Sequence, residues 1–179
     1  MAPKTLDSSA RPNAQMKMSP DALSEMRNTE KVVLRYYNDL GRRKGNCTWG
    51  IGFKAHKGIC TPAELKRMVS APSVDVEYAK RVAEAERRVK VKVKVELSQA
   101  QFDGLVSFTY NTSNSANERV YRALNDHDFP QAARIISESV MVKDRNKWKL
   151  APGLIPRRAK ESAPFRVAAD ADNSAGRRE

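Results

Sequence analysis

A chain of 179 residues, 40% hydrophobic and 30% charged, has room for one ordinary domain or two small lobes sharing a core, and this balance excludes a disordered chain. No stretch approaches the ~18 consecutive apolar residues of a membrane-spanning helix, and Lys4 is followed by polar residues, not the apolar core of a secretory signal. A net charge of +12 points to polyanionic partners (nucleic acid, anionic membrane, anionic wall polymers) or to nothing more than a solvated basic face.

Residues 1–18 are polar, carry Pro, Ala and Ser, and show no sustained periodicity, so a flexible N-terminal tail is expected. Ser19-Pro20 then opens the first helix, with Ser as N-cap, Pro at the first helical position and Asp21 in the first turn. Leu23, Met26, Glu30 and Val33 follow at helical spacing, which puts Glu30 on the core-facing stripe. The helix is expected to end between Lys31 and Leu34. Asn38-Asp39-Leu40-Gly41 forms a polar turn, and Arg42 to Asn46 a basic loop with turn-forming glycines at Gly41 and Gly45. Cys47 to Phe53 reads as a strand with Gly50 and Gly52 on one face, where a ligand or another backbone has room to approach. A hairpin or three-stranded sheet over about Arg35 to Ile59 assembles these pieces.

Thr61-Pro62-Ala63-Glu64 is a capping box that starts a helix ending by Ser70-Ala71-Pro72. Ser73 caps the next helix, which runs to about Arg88. Val89 to Val95 alternates Val and Lys and is read as extended. Ser98 and Gln101 form a second capping box, stapled by Leu97 and Phe102. The apolar helix they open is expected to be buried through Tyr110 and is broken by the polar run Asn111 to Asn117. Short helices follow at Glu118 to Leu124, Pro130 to Ser139 and Arg157 to Phe165, and a second flexible tail covers 166–179. There is no internal repeat.

Cys47 and Cys60 are read as free thiols, with a bridge across the hairpin as the alternative. Together with His56 and His127 they make no zinc-ligand spacing, so no metal is expected. Glu30 and Asp39 are two carboxylates in unlike surroundings. That is the requirement for cleaving a glycosidic bond, which needs one protonated acid and one ionised group. An apolar setting favours the protonated form of Glu30. Each residue also has a structural reading: Glu30 a solvated helix-end glutamate, Asp39 a favoured turn residue, Thr48 a good strand residue.

The order and spacing of Glu30, Tyr37, Asp39 and the Thr-x-Gly-x-Gly run from Thr48 to Gly52 resemble those of the phage-type lysozymes, glycoside hydrolase family 24, the endolysins of T-even and lambdoid phages. Leu97 to Asn111, Trp148 and Gly153-Leu-Ile-Pro-Arg-Arg158 resemble the family's C-terminal signatures, so the likeness covers roughly Ser19 to Phe165. It implies an α+β, mainly helical, lysozyme-like fold over 19–165, with a small hairpin lobe at about 30–70. A helical lobe at about 96–165, including the first helix, completes it.

The implied activity is an inverting muramidase acting on bacterial peptidoglycan, with no cofactor. Glu30 is its acid, Asp39 and Thr48 activate water, and Tyr37, Gly50, Gly52 and Asn111 support the groove. Arg158 reaches back to Glu30; its structural reading is a surface cation at a helix N-terminus. The lack of a span or secretory signal leads to the expectation of synthesis in a host cytoplasm, a monomer is expected, and the resemblance implies release to the wall by a holin. Departures from the family pattern are Lys31, Phe53, Ser113, the longer loop Arg42 to Asn46 and an insertion near Ser70 to Val74. They motivate a catalytically silent wall-binding protein of the same fold as one alternative. A basic nucleic-acid-binding protein, suggested by the charge, is the other.

Overall fold

The structure, a computed structural model, describes residues 11–144 and 147–175. The chain divides into two compact units: Asp21–Val82, and a second that joins the described part of Met1–Pro20 to that of Ala83–Glu179.

In the first unit, helix α1 (Pro20–Asn28) starts as expected but stops earlier. The Thr29 hydroxyl turns back to donate to Met26 O at 2.7 Å, and Glu30 N–H donates to Arg27 O at 3.2 Å. The β-branched Val32 and Val33 then favour extended backbone. Glu30 therefore follows the helix and does not sit on its buried stripe. α1 also belongs to this unit, not to the helical lobe assigned to it by resemblance.

Strands β1 (Val33–Asn38), β2 (Cys47–Gly50) and β3 (Phe53–His56) form the expected three-stranded antiparallel sheet in the order β1-β2-β3. β2 ends at Gly50, three residues short of expectation, because Gly50 and Gly52 both have positive φ (63° and 90°) and turn the chain into β3. Cys47 and Cys60, read as free thiols, are joined in a disulfide with Cα atoms 4.5 Å apart. Cys60 N–H donates to Asn38 Oδ1 at 2.8 Å and Cys47 N–H to Gly58 O at 2.6 Å, which fold the segment after β3 back over the strand ends. Closing this loop, of sequence separation 13, stabilises the unit by about 3 kcal/mol.

Helix α2 (Pro62–Leu65) has the Thr61–Glu64 capping box but is a single turn. It ends early because Met68 bridges Arg35 and Val69 N–H donates to Leu34 O at 3.0 Å, so the chain runs along β1.

Helix α3 (Ala71–Lys92) is continuous through most of the segment expected to be extended. Val74, Tyr78, Val82, Ala85, Val89 and Val93 are all buried at intervals of three or four, while Val91 is exposed. Helical periodicity overrides the Val-Lys alternation. The boundary between the units falls inside this helix.

The second unit contains α4 (Gln99–Asn111), α5 (Asn114–Asn125), α6 (Phe129–Glu138) and α7 (Ile155–Ala175). The Ser98–Gln101 box caps α4 as expected, with Gln101 N–H donating to Ser98 Oγ at 3.2 Å and Ser98 N–H to Gln101 Oε1 at 2.9 Å. A hairpin of β4 (Met141–Asp144) and β5 (Lys147–Leu150) precedes α7 and was not anticipated. α7 packs on α4 and α6 around Phe102, Leu105, Phe108, Ile136 and Phe165. α4 and α7 approach so closely that a Cβ at Gly104 would lie 2.8 Å from Glu161 O.

Part of each range expected to be a tail is structured. The backbone of 166–175 is helical. Asn13 is buried, donating from Nδ2 to Val95 O at 2.8 Å and accepting Leu97 N–H on Oδ1 at 3.1 Å. Residues 1–10 and 176–179 lie outside the described residues.

Candidate active site

The sheet unit brings Tyr37, Asp39, Thr48, Gly50 and Gly52 onto one antiparallel hairpin and the turns at its ends. Tyr37 and Thr48 are cross-strand partners in the β1–β2 register, so their side chains share a face of the sheet. Tyr37 is part-buried, and that burial pushes its phenol above the usual tyrosine range. The charge of Asp39 adds to the rise, and a backbone hydrogen bond from Gly52 opposes it.

Asp39 is exposed, and its carboxylate closes the basic loop. Oδ1 accepts the Asn46 backbone N–H at 2.7 Å and Oδ2 the Asn46 amide at 3.0 Å, while Asp39 N–H donates to Asn46 O at 3.1 Å. Asn46 O also accepts the Thr48 hydroxyl at 3.3 Å. Asn46 thus ties the two expected water-activating residues together, although it was not among the sequence candidates. Its signal was present: an Asp and an Asn bracketing a loop with glycines, each able to bond the other's backbone.

The loop between them depends on conformations that glycine supplies. Gly41 and Gly45 have φ of 90° and 85°, and a Cβ on Gly45 would lie 1.9 Å from Asp39 Oδ1. Arg42, Arg43 and Lys44 are exposed at its tip. The extra length of this loop therefore carries charge outward, while its glycine makes room for the carboxylate. Each Asp39 oxygen keeps a second acceptor direction, whereas Thr48 is buried.

Gly50 and Gly52 do not share one role. Gly50 is buried and its side-chain position is filled by Phe53, whose ring would stand 2.9 Å from an added Cβ. Gly52 is exposed with no atom within 4 Å of that position, so only Gly52 leaves the open approach expected of both. Glu30 sits in the link between α1 and β1 of the same unit and is half-buried. Among the described residues, the sheet register also sets His56 opposite Cys47, and ligand-type atoms of Cys47, His56 and Glu64 lie within 4.8 Å of one another.

Asn111 and Arg158 meet in the helical unit. Arg158 is 2% exposed; it donates from Nε to Ser139 O at 2.9 Å, from Nη2 to Asn111 Oδ1 at 2.8 Å and from Nη1 to Glu161 Oε2. Its guanidinium lies 5.0 Å from the centre of the Phe108 ring. Glu161 also accepts Ser107 Oγ at 2.6 Å and Arg157 Nε at 3.0 Å. The described partners of Arg158 all lie in this unit, where it joins the C-terminal end of α4 to the start of α7. Its burial replaces the reading of a surface cation. Glu161, absent from the sequence candidates, stands three and four residues after the two arginines, the spacing at which helical ion pairs form.

Residues 27–161 match the phage lysozyme family. Among solved structures, the fold is similar to the muramidase domain of SpmX from Asticaccaulis excentricus, at 24% identity and a TM-score of 0.65 over 84% of this chain and 98% of that one. It is also similar to the endolysin of Escherichia coli O157:H7 phage FAHEc1, at 22% identity and a TM-score of 0.67 over 84% and 94% of the two chains. A P22 lysozyme mutant is 24% identical with a TM-score of 0.60 over 84% and 99%. No curated protein sequence matches the chain.

Proposed function

The chain belongs to the phage lysozyme family, and from that premise we propose that it is a muramidase that hydrolyses the β-1,4 bond between N-acetylmuramic acid and N-acetylglucosamine in bacterial peptidoglycan. Glu30 protonates the leaving oxygen. Asp39 and Thr48 hold and activate a water on the opposite face of the sugar, and the product inverts. The observation that carries this reading is the bond set through Asn46, which links an exposed carboxylate to the buried hydroxyl of Thr48, the cross-strand partner of Tyr37. Such a group accepts a proton from water without needing to move first. Inversion calls for catalytic carboxyl groups about 6.5–9.5 Å apart, leaving space for that water. The +12 charge adds long-range attraction to an anionic wall, and no cofactor enters the chemistry.

Digestion of purified peptidoglycan by the parent and by Glu30→Gln tests the reading. The parent releases fragments with reducing-end sugars, and the variant is slower by about 10²–10⁴-fold. Products ending in a 1,6-anhydro sugar would remove the water-activating role of Asp39 and Thr48. An inactive parent that still binds the wall would leave a binding protein of the same fold.

A further inference from the structure

The Cys47–Cys60 bridge stands next to two side chains that the proposed hydrolysis does not use. His56 is the cross-strand partner of Cys47 in the β2–β3 register, so the imidazole and Cys47 Sγ are on the same side of the sheet. Glu64, from α2, meets the imidazole with Oε1 at 2.9 Å from His56 Nε2. The ligand atoms of Cys47, His56 and Glu64 lie within 4.8 Å of one another, and Cys60 Sγ is bonded to the first of them.

The outer contacts of both non-sulfur groups are those of metal ligands. His56 Nδ1 donates to Lys57 O at 3.0 Å, so Nε2, which donates to Glu64 Oε1 in the oxidised chain, is the nitrogen that gives up its proton to bind the ion. Glu64 Oε2 accepts the Thr61 backbone N–H at 2.7 Å and the Thr61 hydroxyl at 2.8 Å, which orients the carboxylate and leaves Oε1 forward. Two sulfurs, one imidazole and one carboxylate suit a tetrahedral zinc ion, with bonds of about 2.3 Å to sulfur and about 2.0–2.2 Å to nitrogen and oxygen.

We propose that Cys47, Cys60, His56 and Glu64 bind one zinc ion when the disulfide is reduced. This end of the sheet is then fastened by a metal in reducing surroundings and by a covalent bond in oxidising ones. In the reduced chain the two thiols release two protons as the ion binds. When a small-molecule disulfide oxidises the site, two electrons pass from the thiolates to its S–S bond. The Cys47–Cys60 bond forms, the oxidant takes up two protons and leaves as two thiols, and zinc is released. The sequence spacing alone suggested no such set, because the ligands converge only through the β2–β3 register and the return of the chain to α2.

The test is zinc titration of the full metal-free chain, held reduced by a phosphine without oxygen, against a chromophoric chelator. Cobalt serves as a spectroscopic substitute. The reduced parent binds one equivalent, and cobalt gives a near-ultraviolet sulfur-to-metal band that the Cys47→Ser/Cys60→Ser double variant lacks. His56→Ala and Glu64→Gln, both at exposed or half-exposed positions, each weaken zinc by about tenfold or more, and the oxidised parent binds none. The proposal is overturned if the reduced parent takes up no zinc, if His56→Ala binds as tightly as the parent, or if the oxidised chain binds equally well. Should the reduced chain lose structure by far-ultraviolet circular dichroism, recovery on adding zinc supports the site, and failure to recover overturns it. None of these readouts depends on muramidase activity.

Discussion

Each unit of this protein fixes a carboxylate, and the two do so in opposite ways. Asp39 in the sheet unit is exposed and held by one residue, Asn46, across a loop of glycines. Glu161 in the helical unit is 4% exposed and held by Arg157, Arg158 and Ser107. A carboxylate with acceptor capacity left over and access to solvent is placed to act on something else. One whose oxygens are taken up by two guanidinium groups and a hydroxyl joins helices.

The comparison breaks most directly at Glu161. Glu161→Ala leaves Arg158 buried without its anionic partner, and a loss of about 3–5 kcal/mol in unfolding free energy is expected from urea denaturation. Asp39→Ala should do the reverse. Peptidoglycan turnover falls by about 10²-fold, equivalent to about 2.7 kcal/mol in transition-state energy, while stability changes by about 1 kcal/mol or less. A large stability loss with turnover intact would make Asp39 a loop clamp only.

Gly45→Ala brings a methyl carbon onto Asp39 Oδ1 at a φ of 85°. It is expected to cost about 1–3 kcal/mol and to lower turnover by displacing Asp39. Ser98→Ala removes the side-chain half of the α4 cap for about 1 kcal/mol, with turnover per folded molecule unchanged.

The smallest expected effect is on pH. His56 is raised above 6.5, first by its bond to Lys57 O and then by Glu64. Glu64 is lowered below 4.5, first by the Thr61 backbone N–H, then by the Thr61 hydroxyl and His56. The His56 contribution is complete below 6.5 and is lost as pH rises through the folded midpoint. The Glu64 contribution is complete above 4.5 and is lost as pH falls through its own. Both are complete only between those limits. In an NMR titration, Glu64→Gln should move the His56 midpoint down but leave it above 6.5, because the Lys57 bond remains.

What the sequence made legible was whatever it encodes locally. The Thr61–Glu64 and Ser98–Gln101 boxes were found because all their partners lie within three residues, and Asn111 closes α4 where a polar run begins. The sheet was legible from its turns. Three expectations failed, two of them where long-range geometry decides. Val89 and Val93 obey the strand period as well as the helical one, and only their burial beside an exposed Val91 distinguishes the two.

The cysteines are thirteen residues apart in a chain whose fold brings them together through Asn38 and Gly58. Glu30 lost its helical position because Val32 and Val33 prefer extension, a competition that helix periodicity ignores. The site residues were named from likeness to a family. What the structure adds is Asn46 and Glu161, found by following each acceptor to its donor.

Asn13 decides where this chain tolerates being cut. A truncation at Ser19, which the polar composition of residues 1–18 invites, would delete the amide that pairs Val95 O with Leu97 N–H just ahead of the α4 cap. Those two backbone groups would lose their partner within a segment whose Val95 and Leu97 side chains are core. A fusion or cleavage site belongs upstream of residue 11. A trimmed protein that expresses poorly would then be reporting a missing clasp and saying nothing about the β1–β2 hairpin.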